Sequence, residues 1–458
     1  MDAPPEYRRP EPAGHTMVLF GEGKEGSDRV CGRPVLPAIR WVALITGLVS
    51  VGVSGVLGGY EGYAGDSRVF FVAPEVRGEG SGETPSEAAG WTDENLWDVV
   101  EAALENGDVV VNLLEGSYYV SSQDELEMPR LTLSGLGHEE NRLIVQGESP
   151  EGVTITRYPE DGTGSGDEVG LIRVRRCRNL TLRNLHFTAP GGHRIGYAVL
   201  VERSRDILFD SCSWVDMPNV HYGATGAHRE ETFNIVYSNC RFVRVGRRGG
   251  AHMAYNAYAP RAISYINCYF EDCAGDYVRF RSASDFGVVA GCTFRSTGEH
   301  INTHMPFISI PLFNNVDPGD EVFGTHFLIF NNRFLFETEA DPDDRIAIRF
   351  LHRGFDPPGR RHLLDPREAE ILESGTLREK RALLRENLRI NPASVHVYGN
   401  RYKNVEHKGV YQFDAAYGAE SRGGDGRYDI FDTFNSRPRV GAAEYWKAFE
   451  SVLGPRAD

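Results

Sequence analysis

One phrase recurs along the middle of this chain: an apolar run, then Asn, Ser or Gly, a Cys, one further residue and an aromatic. It runs from Asp206 to Trp214 through Cys212, from Phe233 to Phe242 through Cys240, from Ala262 to Phe270 through Cys268, and from Asp285 to Phe294 through Cys292. Looser copies sit at Asn179–Phe187, His326–Phe334 and Val395–Tyr402. The closing aromatics at 187, 214, 242, 270 and 294 are 27, 28, 28 and 24 residues apart. A fixed period of this size, carried by short strands with polar loops between them, marks a solenoid. The unit is β-branched, aromatic and turn-bounded, so each repeat reads as one coil of a parallel β-helix. Stacked coils lie about 4.8 Å apart, which lines like residues into ladders. Cys212, Cys240, Cys268 and Cys292 are expected as one internal ladder, with the aromatics as a second. Seven cysteines is an odd number, and buried Cys behaves as a small hydrophobe, so free thiols are expected rather than a disulfide framework. Cys31 and Cys273 lie off the ladder.

A solenoid grows by adding coils, so 458 residues need not divide into several domains. Residues 1–40 read as a disordered N-terminal segment, rich in Pro, Gly and charge. Trp41–Gly59 is uncharged and follows Arg33 and Arg40, which fits a signal h-region or a membrane anchor. Positive charge on its N-terminal side directs the remaining chain outward, so a secreted or extracytoplasmic, membrane-anchored protein is expected. Residues 60–91 read as a linker and 92–415 as the β-helix. Within it, Thr92-Asp-Glu-Asn precedes an amphipathic stretch, Leu96–Leu104, which predicts an N-terminal capping helix. Such a cap shields the open end of the first coil. Early coils follow at Leu131–Leu133, Arg142–Val145 and Gly152–Thr156. The period breaks after Phe334, and 337–394 reads as a partly helical insertion, with a charged helix over about 366–388. Residues 416–458 read as a tail with a short helix at Ala443–Leu453.

Gly107-Asp-Val-Val-Val-Asn-Leu-Leu-Glu-Gly-Ser-Tyr118 is similar to an opening coil common in the pectate-lyase-like superfamily, and Asn179–Phe187 is similar to the coil that often follows it. Over about 92–415 the chain resembles that superfamily of exported polysaccharide lyases, glycoside hydrolases and epimerases. The resemblance implies an all-β, single-stranded, right-handed parallel β-helix. It names no subfamily, because the acidic sets of the polygalacturonase type and the Asn-Gly, Glu, Arg pattern of alginate lyases are missing. No Lys lies between 25 and 379, which removes a Lys base from the repeats.

Charge points to the ligand. Net charge is −16, yet residues 170–304 carry 17 Arg and no Lys against 11 Asp plus Glu, or +6. A basic stretch on an acidic chain favours an anionic partner there. Aligning coils on their closing aromatics brings His193, Arg194, His221, Arg248, Asp276 and His300 to one position, and His252, Arg279, Arg281 and His304 to another slightly further on. Equivalent positions in stacked coils make one lateral strip. Tyr222, His228, Asn256 and Arg261 extend the expected substrate-binding set, and Arg279 and Arg281 share one strand face about 7 Å apart, a spacing suited to a carboxylate or sulfate.

Elimination on a uronic acid needs a cation at the C6 carboxylate, a base for the C5 proton and an acid for O4. Arg279 and Arg281 are expected as the cations, His252 as the base and Tyr255, or Tyr222, as the acid. The reading is a polysaccharide lyase acting on an anionic, uronic-acid-containing polymer. Three alternatives stay open. A uronate epimerase needs nearly the same groups. A glycoside hydrolase would use Asp276 with Glu271 or Asp272 as opposed carboxylates. A non-catalytic carbohydrate-binding or adhesive rod would scatter these residues around the cylinder. No cofactor is demanded by any motif; Ca²⁺ at Glu271 and Asp272 would lack a metal-spacing pattern. Nucleic acid is excluded as a partner, since the basic patch lacks aromatic interleaving. A monomer is expected.

Overall fold

The computed structural model describes residues 67–120, 131–157, 170–191, 195–247, 250–301, 305–313, 323–338, 340–353, 366–387, 394–414 and 426–436. The chain divides into two units, Met1–Leu57 and Gly58–Asp458, and the first lies wholly outside the described residues. So do the expected disordered segment, the apolar stretch Trp41–Gly59 and the helix at Ala443–Leu453. Among the described residues no helix is long and apolar enough to cross a membrane.

The second unit is a parallel β-helix. Three sheets of 11, 9 and 10 strands share its coils, and each strand pairs in parallel with its equivalent one coil away, apart from one antiparallel strand at the end. We call the sheets A, B and C in the order in which the chain visits them. The repeated phrase is one strand of sheet A, a corner and one strand of sheet B. Between the sheet A strand Arg205–Asp210 and the sheet B strand Ser213–Met217 lie only Ser211 and Cys212, and Asn239-Cys240, Asn267-Cys268 and Gly291-Cys292 fill the next three corners. The first residue of each corner is left-handed, with φ of 56° at Ser211, 56° at Asn239, 54° at Asn267 and 67° at Gly291. Asn and Gly tolerate that conformation best, which is why they recur there.

The Cys that follows points inward and does a job beyond filling space. The thiols of Cys212, Cys240, Cys268 and Cys292 donate to the carbonyls of Leu182, Phe209, Tyr237 and Tyr265, one coil away, at 3.3–3.5 Å. Asn332 and Asn400 continue the column and donate to the carbonyls of Val289 and Ile329 at 2.9 and 3.0 Å. A weak thiol donor thus stands where an amide would, satisfying corner carbonyls that the sheets leave over. The six described cysteines are buried and free. Burial pushes the Cys212 thiol up to about 12. Beside this ladder runs the aromatic column Phe187, Trp214, Phe242, Phe270, Phe294, with rings stacked at 4.6–5.1 Å. Their Cα atoms are register partners, so the stack follows from the pairing.

Three boundaries differ from the sequence reading. The expected linker over 60–91 is, from residue 67, part of the fold: Arg68–Ala73 pairs with Val109–Leu113 as a first sheet A strand. Its alternation was masked by the Pro- and Gly-rich loop behind it. Helix α1, Glu94–Leu104, capped by Asp93, therefore follows the first coil strand and buries Leu96, Val100, Ala103 and Leu104 against the core. The expected insertion 337–394 contains a full sheet C strand, Ile348–Arg353, in register with Ile308–Phe313 and Val410–Asp414. Only after it come helices α2, Pro366–Ser374, and α3, Leu377–Asn387. In the expected tail, Gly426–Asp429 pairs antiparallel with Val410–Asp414 and ends sheet C.

Candidate functional site

Sheet C carries most of the expected site residues on successive coils. Its strands Ile195–Glu202, Val220–His228, His252–Asn256, Val278–Phe280, Ile308–Phe313 and Ile348–Arg353 are neighbours in that order. Alternation sets the face: Ala254, Val278 and Ile308 are register partners and belong to the core, whereas Tyr255, Arg279, Ser309 and Arg349 form the adjoining row. The two arginines of the Val278–Arg281 segment do share a face. Tyr277 turns into the core against Phe294 and Phe307, since the strand begins only at Val278.

At the centre lies Asp276, about 1% exposed. Its Oδ1 accepts from Arg349 Nη2 at 3.1 Å, and its Oδ2 lies 3.7 Å from Arg279 Nη1 and 3.6 Å from His252 Nδ1. Arg349 reaches Asp276 from two coils away, over Ser309, whose small side chain leaves room for it. The Ser309 hydroxyl is fully buried and has no hydrogen-bond partner among the described residues. Arg279 Cζ sits 4.8 Å from the ring centre of Tyr255, and Arg281 Nη1 donates to Tyr255 Oη at 3.0 Å. Three guanidiniums thus meet around one tyrosine, one aspartate and one histidine.

His252 is held neutral. Burial first, then the guanidiniums of Arg279, Arg349 and Arg281, keep it well below the ordinary histidine range. The Asp276 amide donates to its Nδ1 at 2.9 Å, while Arg279 Nη1 lies 2.6 Å from its Nε2. A neutral imidazole has one lone pair, so it accepts from one of these two donors and opposes the other with its own N–H. An acceptor arriving from outside would relieve that opposition.

A second group adjoins the first. Tyr197 Oη and His228 Nε2 are 3.0 Å apart, and the Tyr197 ring stacks on Tyr222 at 5.6 Å and on Tyr255 at 6.3 Å. Tyr197 and Tyr255 belong to coils on either side of the strand Val220–His228, and they meet because that strand presents Gly223 and Gly226 between them. A Cβ on Gly226 would lie 2.3 Å from the Tyr255 carbonyl and 3.0 Å from the Tyr197 ring. Burial pushes His228 down to about 4 and Tyr197 well above the usual phenol range. His221 packs edge-on against Tyr222 at 4.3 Å.

Some expected residues lie elsewhere. Asn256 points inward: it donates to the Arg279 carbonyl at 3.1 Å and bonds Tyr265 Oη inside the cylinder, so it stitches coils rather than facing a ligand. Arg261 opens the sheet A strand Arg261–Ile266, on another face, because the corner after Asn256 carries the chain off sheet C. Glu271 sits on sheet B and pairs with Arg295 at 2.6 Å, and Asp272 is taken up by Thr297, so neither opposes Asp276 as a second catalytic carboxylate. Among the described residues no cluster of three or more His, Cys, Asp or Glu is placed to hold a metal ion. His300 lies in a separate cleft at the corner between sheets B and C, with Arg244 and Arg247. His193, Arg194, Arg248 and His304 lie outside the described residues. Sequence reasoning missed Arg349, Ser309 and Tyr197. For Arg349 a signal existed, since Ile346-Ala-Ile-Arg-Phe-Leu alternates as the other sheet C strands do.

No family model matches the chain, and no curated protein matches it. Among solved structures it is similar to the pectate lyase Pel9A, at 10% identity and TM-score 0.41, covering 64% of this chain and 72% of that one. It is also similar to an alginate lyase from Paenibacillus sp. str. FPU-7, at 11% and 0.35, covering 69% and 95%. The third is pectin methylesterase PemA from Erwinia chrysanthemi, at 12% and 0.36, covering 81% and 88%.

Proposed function

We propose that this protein is a polysaccharide lyase that cleaves an anionic, uronate-containing polymer by β-elimination on the outer face of sheet C. One observation carries the reading: on one face of sheet C, Arg279 meets a neutral His252, Arg281 meets Tyr255, and Arg349 binds the Asp276 carboxylate beside them. A uronate carboxylate beside Arg279 would have its charge neutralised, which acidifies the C5 proton. Drawing Arg279 toward the carboxylate frees His252 Nε2; the ring proton then moves to Nδ1, giving up the bond from the Asp276 amide for the Asp276 carboxylate 3.6 Å away, and the Nε2 lone pair takes the C5 proton. The C5 electrons form the C4–C5 double bond, the C4–O4 bond breaks, and O4 collects a proton from Tyr255. Tyr255 suits that role because its oxygen accepts from Arg281, which leaves its own hydrogen to donate. Tyr222, stacked on Tyr197, is the alternative acid.

The same first step serves an epimerase, which returns a proton to the opposite face of C5 instead of breaking C4–O4. The export expected from the N-terminal segment would bring the protein to such polymers, and that expectation remains part of the proposal. The test is ultraviolet absorbance of the unsaturated product while the full chain is incubated with polygalacturonate, alginate and chondroitin sulfate. A rise that His252→Ala and Tyr255→Phe both abolish supports the reading. Reducing ends released without the ultraviolet signal would replace it with hydrolysis, and C5 inversion without cleavage would replace it with epimerisation.

A further inference from the structure

A second basic recess lies where the chain passes from sheet B to sheet C. It is a cleft of about 320 Å³ lined by Pro190, Gly191, Asp216, Pro218, Arg244, Arg247 and His300. That size falls within the roughly 300–1,000 Å³ typical of ligand sites. Arg244 and Arg247 come from one coil and His300 from another, and they are not equivalent in what they do. Arg244 is committed: its Nε and Nη2 bind the two oxygens of Asp216 at 2.5 and 2.7 Å, and this pairing holds the Asp216 carboxyl below its ordinary range. Arg247 and His300 are exposed, and neither side chain hydrogen-bonds or ion-pairs with another described residue. The one acidic group of the cleft is hydrogen-bonded by Arg244 and also attracts His300 across the recess, while Arg247 faces the opening, with a proline and glycine rim.

We propose that this cleft is an outer subsite for an oxyanion, a carboxylate or a sulfate ester, borne by the polymer that reaches sheet C. The inference rests on the polysaccharide reading above. It adds a place where the chain is held away from the reacting sugar. Asp276 lies in the join from sheet B to sheet C between the strands Tyr269–Cys273 and Val278–Phe280, the same edge of the cylinder that carries Pro218, Arg247 and His300, so the cleft and the central arginines lie on one path around it. A polymer that repeats its charge at every sugar meets both. A short substrate meets only the centre.

The test is equilibrium binding of the full chain to polygalacturonate, which carries carboxylates alone, and to dextran sulfate, which carries sulfates alone. Arg247→Ala combined with His300→Ala should weaken binding of the preferred polymer about tenfold, the loss of one rim guanidinium and one imidazole N–H donor. Arg333→Ala, which removes a like charge from an exposed sheet B position, should leave affinity unchanged. Preference for one polymer identifies the oxyanion. Unchanged affinity in the double variant overturns the subsite, as does an equal loss in Arg333→Ala or a wild type that binds neither polymer. Turnover separates the two ideas. If the double variant binds weakly while no polymer is cleaved by the wild type, the subsite stands and the lyase reading falls. If cleavage proceeds with the same KM in the double variant, the reverse holds.

Discussion

Replacing Asp276 by Asn isolates the electrostatics of the site from its shape. The carboxylate is buried and lies 3.1 Å from Arg349, with Arg279 and His252 at 3.7 and 3.6 Å. At an effective dielectric near 20, the nearer pair alone attracts by roughly 5 kcal/mol, most of which offsets desolvation of the two ions. Removing one member leaves the other buried and uncompensated, which costs about 3–5 kcal/mol in measured cases. Asn keeps an oxygen for the Arg349 hydrogen bond, so the lower end, about 3 kcal/mol, is expected. Arg349→Met should cost a similar amount, and the double variant less than the sum, because the second substitution removes the group that the first had stranded. Urea unfolding of the full chain, followed by tryptophan fluorescence, measures each step from the shift in midpoint. A loss for Asp276→Asn within about 0.5 kcal/mol, the range of a surface change, would refute the argument. Strict additivity in the double variant would do so as well.

Other consequences can be checked with the same protein. His252 is held well below the ordinary histidine range, so its lone pair is present at neutral pH and elimination should stay constant from pH 7 down past the usual histidine value of about 6.5; an acid limb centred at or above that value would sink its role as base. His228, pushed down to about 4, stays neutral in the folded protein while the unfolded chain takes up a proton as pH falls through about 6.5. Stability should therefore drop between those values by up to about 3 kcal/mol, and His228→Gln should flatten that part of the curve. Gly226→Ala places a Cβ 2.3 Å from the Tyr255 carbonyl and should cost about 1–3 kcal/mol together with activity, whereas Gly107→Ala, with nothing within 4 Å, should change neither. In the native protein at most one of the seven thiols, Cys31, should react quickly with a disulfide reagent, since the other six are buried; rapid titration of several would contradict the internal ladder.

What was legible in the sequence follows from the range of the forces involved. The corner phrase combines a left-handed turn residue, an inward donor and a stacking aromatic within four positions, so Asn239-Cys240-Arg-Phe242 declares its geometry locally. The shared face of Arg279 and Arg281 was legible for the same reason, as plain strand alternation. Asn256 was misread because its amide serves the coil interior, and polar residues inside a cylinder carry no mark in the sequence. Arg261 was misread because the corner between sheets C and A varies in length, so counting from the last aromatic drifts. Arg349 was hidden by the same drift on a larger scale: it sits two coils from its partner Asp276, 73 positions along the chain. Tyr197 meets Tyr255 only because two glycines stand between them, a contact defined by what is missing.

The two-residue corners between sheets A and B also determine where such a molecule is free to vary. From Asn184-Leu185 to Gly399-Asn400 every one of these corners has two residues, while the joins from B to C and from C to A range from two residues to the long excursion after Arg353. An extra residue at an A–B corner would break the left-handed turn, misplace the Cys or Asn donor and tear the aromatic column on both neighbouring coils. An extra residue at a B–C corner leaves that column in place, whereas the short C–A corners carry cross-coil bonds of their own, from Cys177 to the Leu133 carbonyl and from Ser204 to the Val174 carbonyl. Chemical novelty in this architecture is thus channelled to the B–C rim of sheet C, where Asp276 and the outer cleft lie, and an engineer wishing to graft a loop or recognition element should choose that rim and leave the A–B edge untouched.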